Sequence, residues 1–249
     1  MSVARAVRKP TVASRPAAKP AAKPAAKTVA KPAAKAVVPV VVTAPPPPPP
    51  APAGTTPAEI EFWDFRYRTN RTPWDAGRAP VGLLQWIERN PPRRRHILIP
   101  GCGRGHEIFS FSGAGWNTTA IDVSPAAIEK VKRRANRALA KQIHCADFFT
   151  HPFNTPQFDV IYQRVFLNAL PPARWTEFVA RVAALLKPGG LLLGSFLFGE
   201  RGTEPPHGLA DGEDRRLFEA RFMLVEEAPI TDSVPAFEGR ERWQVWQKR

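Results

Sequence analysis

The chain has 249 residues, with 36 Lys or Arg against 22 Asp or Glu and a formal net charge of +14. That excess is uneven: residues 1–58 hold nine Lys or Arg, fourteen Pro and neither an acidic nor an aromatic residue, which leaves +5 to the remainder. Such a segment cannot bury enough apolar surface to offset its ordering entropy, so a disordered basic tail over 1–58 and one domain over 59–249 are expected.

Two cysteines, Cys102 and Cys145, offer neither a disulfide framework nor metal-ligand spacing. No metal site is expected, and a reducing, cytoplasmic setting fits that usage. The apolar stretch 36–44 is too short to span a bilayer and is interrupted by Pro39. It also lacks the order of a secretory signal. No membrane partner is expected.

In chain order, the tail first repeats Ala-Ala-Lys-Pro from Ala17 onward. Proline at that frequency prevents a stable helix. Residues 45–50 are all proline, which predicts a short polyproline II rod. Composition changes at Glu59. Phe62, Trp63, Phe65, Tyr67 and Trp74 follow within sixteen residues, so this stretch packs against something. A short helix is predicted over 80–87 and a strand over 96–99. The strand runs into Gly101-Cys102-Gly103-Arg104-Gly105.

Strands and helices then alternate. Strands are predicted over 118–123, 142–145, 158–165 and 191–198, and helices over 125–139 and 173–186. Ser124 before Pro125 is a good N-cap with proline in the first turn. Residues 191–198 are continuously apolar, as for a central strand covered on both faces. A helical turn over 214–219 and an antiparallel pair, 222–228 with 242–246, close the chain. The β-α-β-α order predicts an α/β, doubly wound, mostly parallel sheet with right-handed crossovers.

Glycines at alternate positions let the loop turn sharply and approach a ligand. In a doubly wound sheet the loop lies at the carboxyl end of the first strand, where ligands bind. Gly101, Gly103 and Gly105 are therefore cofactor-binding candidates. Asp122 ends the second strand, nineteen residues after Gly103, where a carboxylate accepts ribose hydroxyls. Asp147 follows the third strand, where an adenine would lie; an ordinary turn residue is the alternative. His106 stands where a dinucleotide fingerprint wants its third glycine. The following helix is expected to be short and broken by Ser110, Ser112 and Gly113. Both features suit S-adenosylmethionine (SAM) better than NAD.

Trp63-Asp64-Phe65-Arg66-Tyr67, Arg71-Thr72-Pro73-Trp74-Asp75 and Ile99-Pro100-Gly101-Cys102-Gly103 together resemble the thiopurine S-methyltransferase superfamily. That group takes in thiopurine methyltransferases, bacterial relatives and the thiol/halide methyltransferases of plants and fungi. Further matches are Phe158-Asp159-Val160-Ile161, Leu186-Lys187-Pro188-Gly189-Gly190 and Pro205-Pro206-His207. The resemblance runs from about Glu59 to the C-terminus. It implies a seven-stranded, Rossmann-like class I methyltransferase sheet, SAM as cofactor and an aromatic N-terminal lid. Trp63, Tyr67 and Trp74 would cover the cofactor, their ring faces attracting its sulfonium; a hydrophobic clamp packing the N-terminal helix on the sheet is the alternative.

Two departures stand out. Relatives carry Asp before the Arg or Tyr that ends the fourth strand, whereas this chain has Gln163-Arg164, with Gln163 at the edge of the cofactor site. Glu204 rather than Gly precedes the proline pair. Arg164 matches the thiopurine branch and points to a thiol-type small-molecule nucleophile as partner. Arg164 and His207 are the catalytic candidates, the first to favour an anion or hold a substrate carboxylate, with a structural ion pair as the alternative, and the second as a proton acceptor or substrate-pocket residue. The resemblance implies direct methyl transfer, and a monomer is expected.

Rival readings remain open. A nucleic-acid methyltransferase, or a non-catalytic SAM-binding module, would use the tail to attract polyanions without sequence preference. Against the first, Asn168 is separated from Pro171-Pro172 by two residues. An NAD-dependent oxidoreductase is disfavoured by His106.

Overall fold

The computed structural model describes residues 60–93 and 95–249. The expected disordered tail and its polyproline rod lie outside the described residues. The chain divides into two units, 1–48 and 49–249; every element below belongs to the second.

Two helices lead, α1 (Ile60–Arg68) and α2 (Val81–Arg89). The first half of the sheet follows as β1 (His96–Pro100), α3 (His106–Gly113), β2 (Asn117–Asp122), α4 (Pro125–Arg134), α5 (Arg137–Ala140) and β3 (Ile143–Cys145). The second half is β4 (Phe158–Arg164), α6 (Phe166–Ala169), α7 (Trp175–Leu185), β5 (Leu186–Leu197), α8 (Glu213–Phe218), β6 (Phe222–Pro229) and β7 (Glu241–Lys248).

Seven strands among the described residues form one sheet in the order β3-β2-β1-β4-β5-β7-β6. The first five run parallel, and β7 inserts antiparallel between β5 and β6. This is the expected doubly wound architecture. The order reverses between β1 and β4, and a crevice opens at the carboxyl ends of strands on either side of such a reversal.

Helices cover both faces. One core gathers Phe178, Val182, Leu185 and Phe218 over Leu98, Ile161 and Phe196. The other gathers Leu83, Trp86, Ile108 and Phe111 over Ile97, Val160 and Leu193. The alternation of strand side chains feeds successive residues to opposite cores. Hence β5 reads as a continuous apolar run: Leu192, Leu193, Phe196 and Leu197 are fully buried.

Several elements differ from their sequence expectation. The helix expected over 125–139 stops at Arg134. Ala135 is extended, and the Asn136 side chain accepts the Leu139 N–H at 2.9 Å, opening a separate turn, α5. An Asn N-cap competes successfully with helix continuation here. Conversely, α3 runs unbroken through Ser110 and Ser112. The Ser110 hydroxyl bonds back to the His106 carbonyl at 3.2 Å and is tolerated. Strand β5 starts earlier than expected: Phe158 pairs with Leu186 and Val160 with Leu191, and residues 187–190 are taken up in the bulge between.

Gly194 sits in β5 with φ +145°, and a Cβ there would fall on the carbonyl oxygen of Gln163 in β4. Backbone cannot yield as a flexible side chain does. Gly194→Ala is expected to cost more than about 4 kcal/mol, the range of exceptional single substitutions. Urea unfolding, or loss of soluble protein, checks this.

Candidate active site

A cleft with about 1200 Å³ of open space lies at the carboxyl ends of β1, β2 and β4. Its floor is the glycine loop. Gly101, Gly103 and Gly105 have φ of +59°, +49° and +74°, a region that penalises any side chain. Space forbids one as well. A Cβ at Gly101 would strike the Phe166 ring, one at Gly103 would lie 2.5 Å from the Tyr67 hydroxyl oxygen, and one at Gly105 would lie 2.8 Å from Val131. Gly101 and Gly103 line the cleft; Gly105 lies outside the lining and opens α3 as its N-cap.

Asp122 ends β2 and is 7% exposed. Its Oδ2 accepts the Gly103 N–H and its Oδ1 the Ser124 N–H, both at 2.9 Å. One carboxylate therefore joins the glycine loop to the entrance of α4. Burial pushes its pKa above the usual carboxylate range, against the pull of those N–H groups. A carboxylate has about four acceptor sites, and the Val123 N–H also acts on this one, so part of its acceptor capacity remains for a ligand hydroxyl.

The lid is α1 and the segment after it. Trp63, Tyr67 and Trp74 all line the cleft. Trp74 meets Trp63 edge to face at 5.7 Å and Tyr67 at 6.2 Å. Asp64 fastens this lid to α4: its Oδ1 accepts the Ser124 hydroxyl at 2.7 Å and the Ala126 N–H at 2.8 Å. A carboxylate at a helix N-terminus is doubly favoured, by orphan N–H groups and by the helix dipole. The Lys130 ammonium adds a bond to the Tyr67 carbonyl at 3.1 Å.

Asp75 completes the lid. It meets Arg104 Nε at 2.8 Å, His106 Nε2 at 3.0 Å and the Gly77 N–H at 2.8 Å. Burial opposes its ionisation, but His106, Gly77 and Arg104 outweigh it and hold the carboxyl below the usual range. The Trp74-Asp75 pair thus puts an aromatic ring in the cleft wall and ties the segment to Arg104 of the glycine loop.

Arg164, at the end of β4, also lines the cleft. Its side chain is 14% exposed, and the nearest carboxylate, Glu241 Oε1, is 3.9 Å from Nε. That separation exceeds a hydrogen bond, and Nε has no hydrogen-bond partner.

Three sequence-predicted site residues lie elsewhere. Asp147 does not face the cleft: its Oδ1 accepts the N–H of Phe149 at 2.6 Å and of Thr150 at 3.2 Å, an Asx turn. Ala146 and Phe148 form the wall on either side of it. Gln163 is 0% exposed and turned away from the cofactor site. It donates to the Ser195 carbonyl at 2.8 Å and accepts the N–H of Phe166 and Leu167, setting the turn into α6. An ionised Asp there would accept but not donate, so the departure from the family has a structural role. His207 is buried in its loop, with Nδ1 against the Gly202 carbonyl at 3.0 Å. Pro205 and Pro206 reach the cleft in its place. Asn168, the residue a base-amino methyltransferase would need free, spends its side chain on Leu197 and His207 backbone groups.

Sequence reasoning missed Asp64, Asp75, Glu107 and Tyr162. Asp64 and Asp75 sat inside the motifs quoted above, each beside the tryptophan that drew notice. Glu107 follows His106 at the start of α3, and Tyr162 is two residues before Arg164 on the same face of β4; strand period 2 places them together.

The fold, the glycine loop and the acidic end of β2 define a class I SAM-dependent methyltransferase. The parts fit the cofactor: aromatic rings for a sulfonium, a buried carboxylate with acceptor capacity for a ribose hydroxyl, and Phe148 for a flat base. The profile of the family described as Thiopurine S-methyltransferase matches residues 58–249. The chain belongs to that family, and its methyl donor is SAM. Among curated relatives it is similar to a probable thiol methyltransferase 2 of Arabidopsis thaliana, 27% identical over 75% of this chain and 84% of that one. It is also similar to thiocyanate methyltransferase 1 of Brassica oleracea, 28% identical over 75% and 84%. Among solved structures, the Burkholderia thailandensis 1,6-didemethyltoxoflavin-N1-methyltransferase with bound S-adenosylhomocysteine shares the fold. The TM-score is 0.61 at 18% identity, over 75% of this chain and 85% of that one.

Asp122→Asn keeps the shape of the side chain and removes its charge. Each charge-assisted hydrogen bond contributes about 1.5–3 kcal/mol, so calorimetry is expected to show S-adenosylhomocysteine binding weakened roughly 10-fold or more.

Proposed function

We propose that the acceptor is a small thiol-type nucleophile, methylated on sulfur, and that the chemistry resides in residues 59–249 without the basic tail. What carries this reading is Arg164: a guanidinium in the wall of an aromatic cleft, whose buried Nε makes no hydrogen bond and only a loose ion pair, 3.9 Å, with Glu241. An anion is what such a group completes. A planar guanidinium offers a thiolate or an aromatic thiolate both charge and directed N–H groups. The names of similar proteins, a thiol and a thiocyanate methyltransferase, point to the same class of nucleophile.

Bound SAM supplies an activated methyl group on a sulfonium. The protein's own work is then placement. Trp63, Tyr67 and Trp74 close one side; Asp122, Gly101 and Gly103 hold the nucleoside end. Ala146 and Phe148 flank the base. Arg164 would hold the acceptor's anion in the same cleft. Holding two reactants in line is worth about 7–11 kcal/mol, enough that no covalent protein intermediate is required. Cys102 and Cys145 are both free thiols, in keeping with a reducing compartment. No helix among the described residues is long and apolar enough to cross a membrane.

Arg164→Met retains the bulk and removes the charge. Losing a charged hydrogen bond of about 1.5–3 kcal/mol predicts a fall in kcat/KM for thiols of roughly 10- to 150-fold. S-adenosylhomocysteine affinity should stay unchanged. Release of S-adenosylhomocysteine, measured across a thiol series, checks it.

A further inference from the structure

Three carboxylates line the cleft: Asp75, Glu107 and Asp122. Methylating a neutral thiol releases a proton inside a site walled by tryptophans, so the partners of these groups decide where the proton goes. Asp75 is engaged by Arg104, His106 and the Gly77 N–H. Asp122 is engaged by the Gly103 and Ser124 N–H groups. His207 lies outside the lining, and the His106 Nε2 faces Asp75. Glu107 is different. It stands in the first turn of α3, 8% exposed; among the described residues its own backbone N–H is the one hydrogen bond given to its carboxylate, and the charges of Arg164 and His106 favour its ionised form from nearby.

Its neighbours are the right ones. The charge of Arg164 acts on it from β4, as do His106 beside it on α3 and Asp75 above. The Tyr162 hydroxyl, buried and without a hydrogen-bond partner, is coupled to the same carboxylate, as is the Cys102 thiol of the glycine loop. Glu107 and Arg164 thus line the same cleft, and the guanidinium charge is felt at the carboxylate.

We infer that Glu107 is a catalytic residue, the general base that takes the proton of a neutral thiol acceptor. The inference rests on the thiol reading above and deepens it. The acceptor's S–H proton passes to a Glu107 carboxylate oxygen, and the sulfur lone pair forms the new S–CH3 bond. The bond between methyl and sulfonium breaks with its electron pair left on the departing thioether, which is neutral. Charge balances: one carboxylate becomes a carboxylic acid as one sulfonium is discharged. Burial raises the Glu107 pKa, and Arg164 only partly offsets it, so this group is a stronger base than a solvated glutamate. Arg164 stabilises the sulfur anion as the proton leaves.

The test uses the full-length protein and its Glu107→Gln variant. Turnover of SAM is measured with an alkyl thiol (2-mercaptoethanol) and an already ionised aryl thiol (5-thio-2-nitrobenzoate). The pH runs from about 6 to about 9.5, spanning ordinary thiol ionisation near 8.5. A general base contributes about 10²–10⁴-fold. The variant should therefore lose about 100-fold or more in kcat/KM on the alkyl thiol near neutral pH. The loss should shrink as pH rises toward the thiol's own pKa. The aryl thiolate, which has no proton to give, should lose far less, and S-adenosylhomocysteine affinity should hold within about threefold. Glu107→Asp, which keeps a carboxylate, should recover part of the alkyl-thiol rate; it carries the same pH test if the Gln variant does not fold. Equal losses on both thiols, or an affinity loss matching the rate loss, would assign Glu107 to the cofactor and overturn the inference. The same pH signature in His106→Asn with Glu107→Gln silent would move the base to His106. Wild-type protein that binds SAM and turns over neither thiol would instead sink the thiol reading, and this inference with it.

Discussion

The Asp122 carboxylate holds the site together. Buried at the end of β2, it takes the Gly103 N–H on one oxygen and the Ser124 N–H on the other. Those two bonds fix the glycine loop against the entrance of α4. Asp64 then reaches across from α1 to the same Ser124 and to Ala126. Loop, helix terminus and lid therefore meet around two carboxylates. A buried unpaired N–H costs about 1–3 kcal/mol, so each bond constrains the position of the segment that offers it. The cleft takes its shape from this arrangement before any ligand arrives.

Positive and negative groups around the cleft are sorted by how fully they are matched. Asp75 is saturated by one arginine, one histidine and one N–H, and its carboxyl is held low. Asp122 is held by backbone N–H groups without a cation beside it among the described residues. Glu107 takes only its own backbone N–H, and Arg164 Nε makes no hydrogen bond beside its 3.9 Å ion pair with Glu241; buried groups of that kind are where function concentrates. Saturated pairs hold the walls rigid, and open ones face the chemistry. His207 and Gln163 belong to the first kind although their positions suggested the second.

Much of this was legible in the sequence because it depends on local, periodic or backbone-imposed signals. The alternate glycines, the continuous apolar run of β5 and the Ser124-Pro125 helix start each have one physical meaning. The expected sheet and cofactor loop followed from them. What was not legible depends on the direction of a side chain in three dimensions. Asp147 and Gln163 occupy the anticipated chain positions, yet one turns into an Asx turn and the other behind β4 to Ser195. Asn136 ended a helix that apolar spacing alone would have continued to Leu139. Glu107 gave no sequence signal of its own: a glutamate in a helix's first turn is ordinary until burial and the proximity of Arg164 are seen.

The claim that unites these observations is that the cleft delivers a methyl group from SAM to sulfur. Its most direct measurement is the release of S-adenosylhomocysteine by the purified full-length protein supplied with SAM and a panel of alkyl thiol, thiopurine, iodide and a short DNA duplex. The account predicts turnover with a thiol or the thiopurine, with none on DNA. SAM binding without turnover on any sulfur acceptor, or methylation of the duplex, would contradict it.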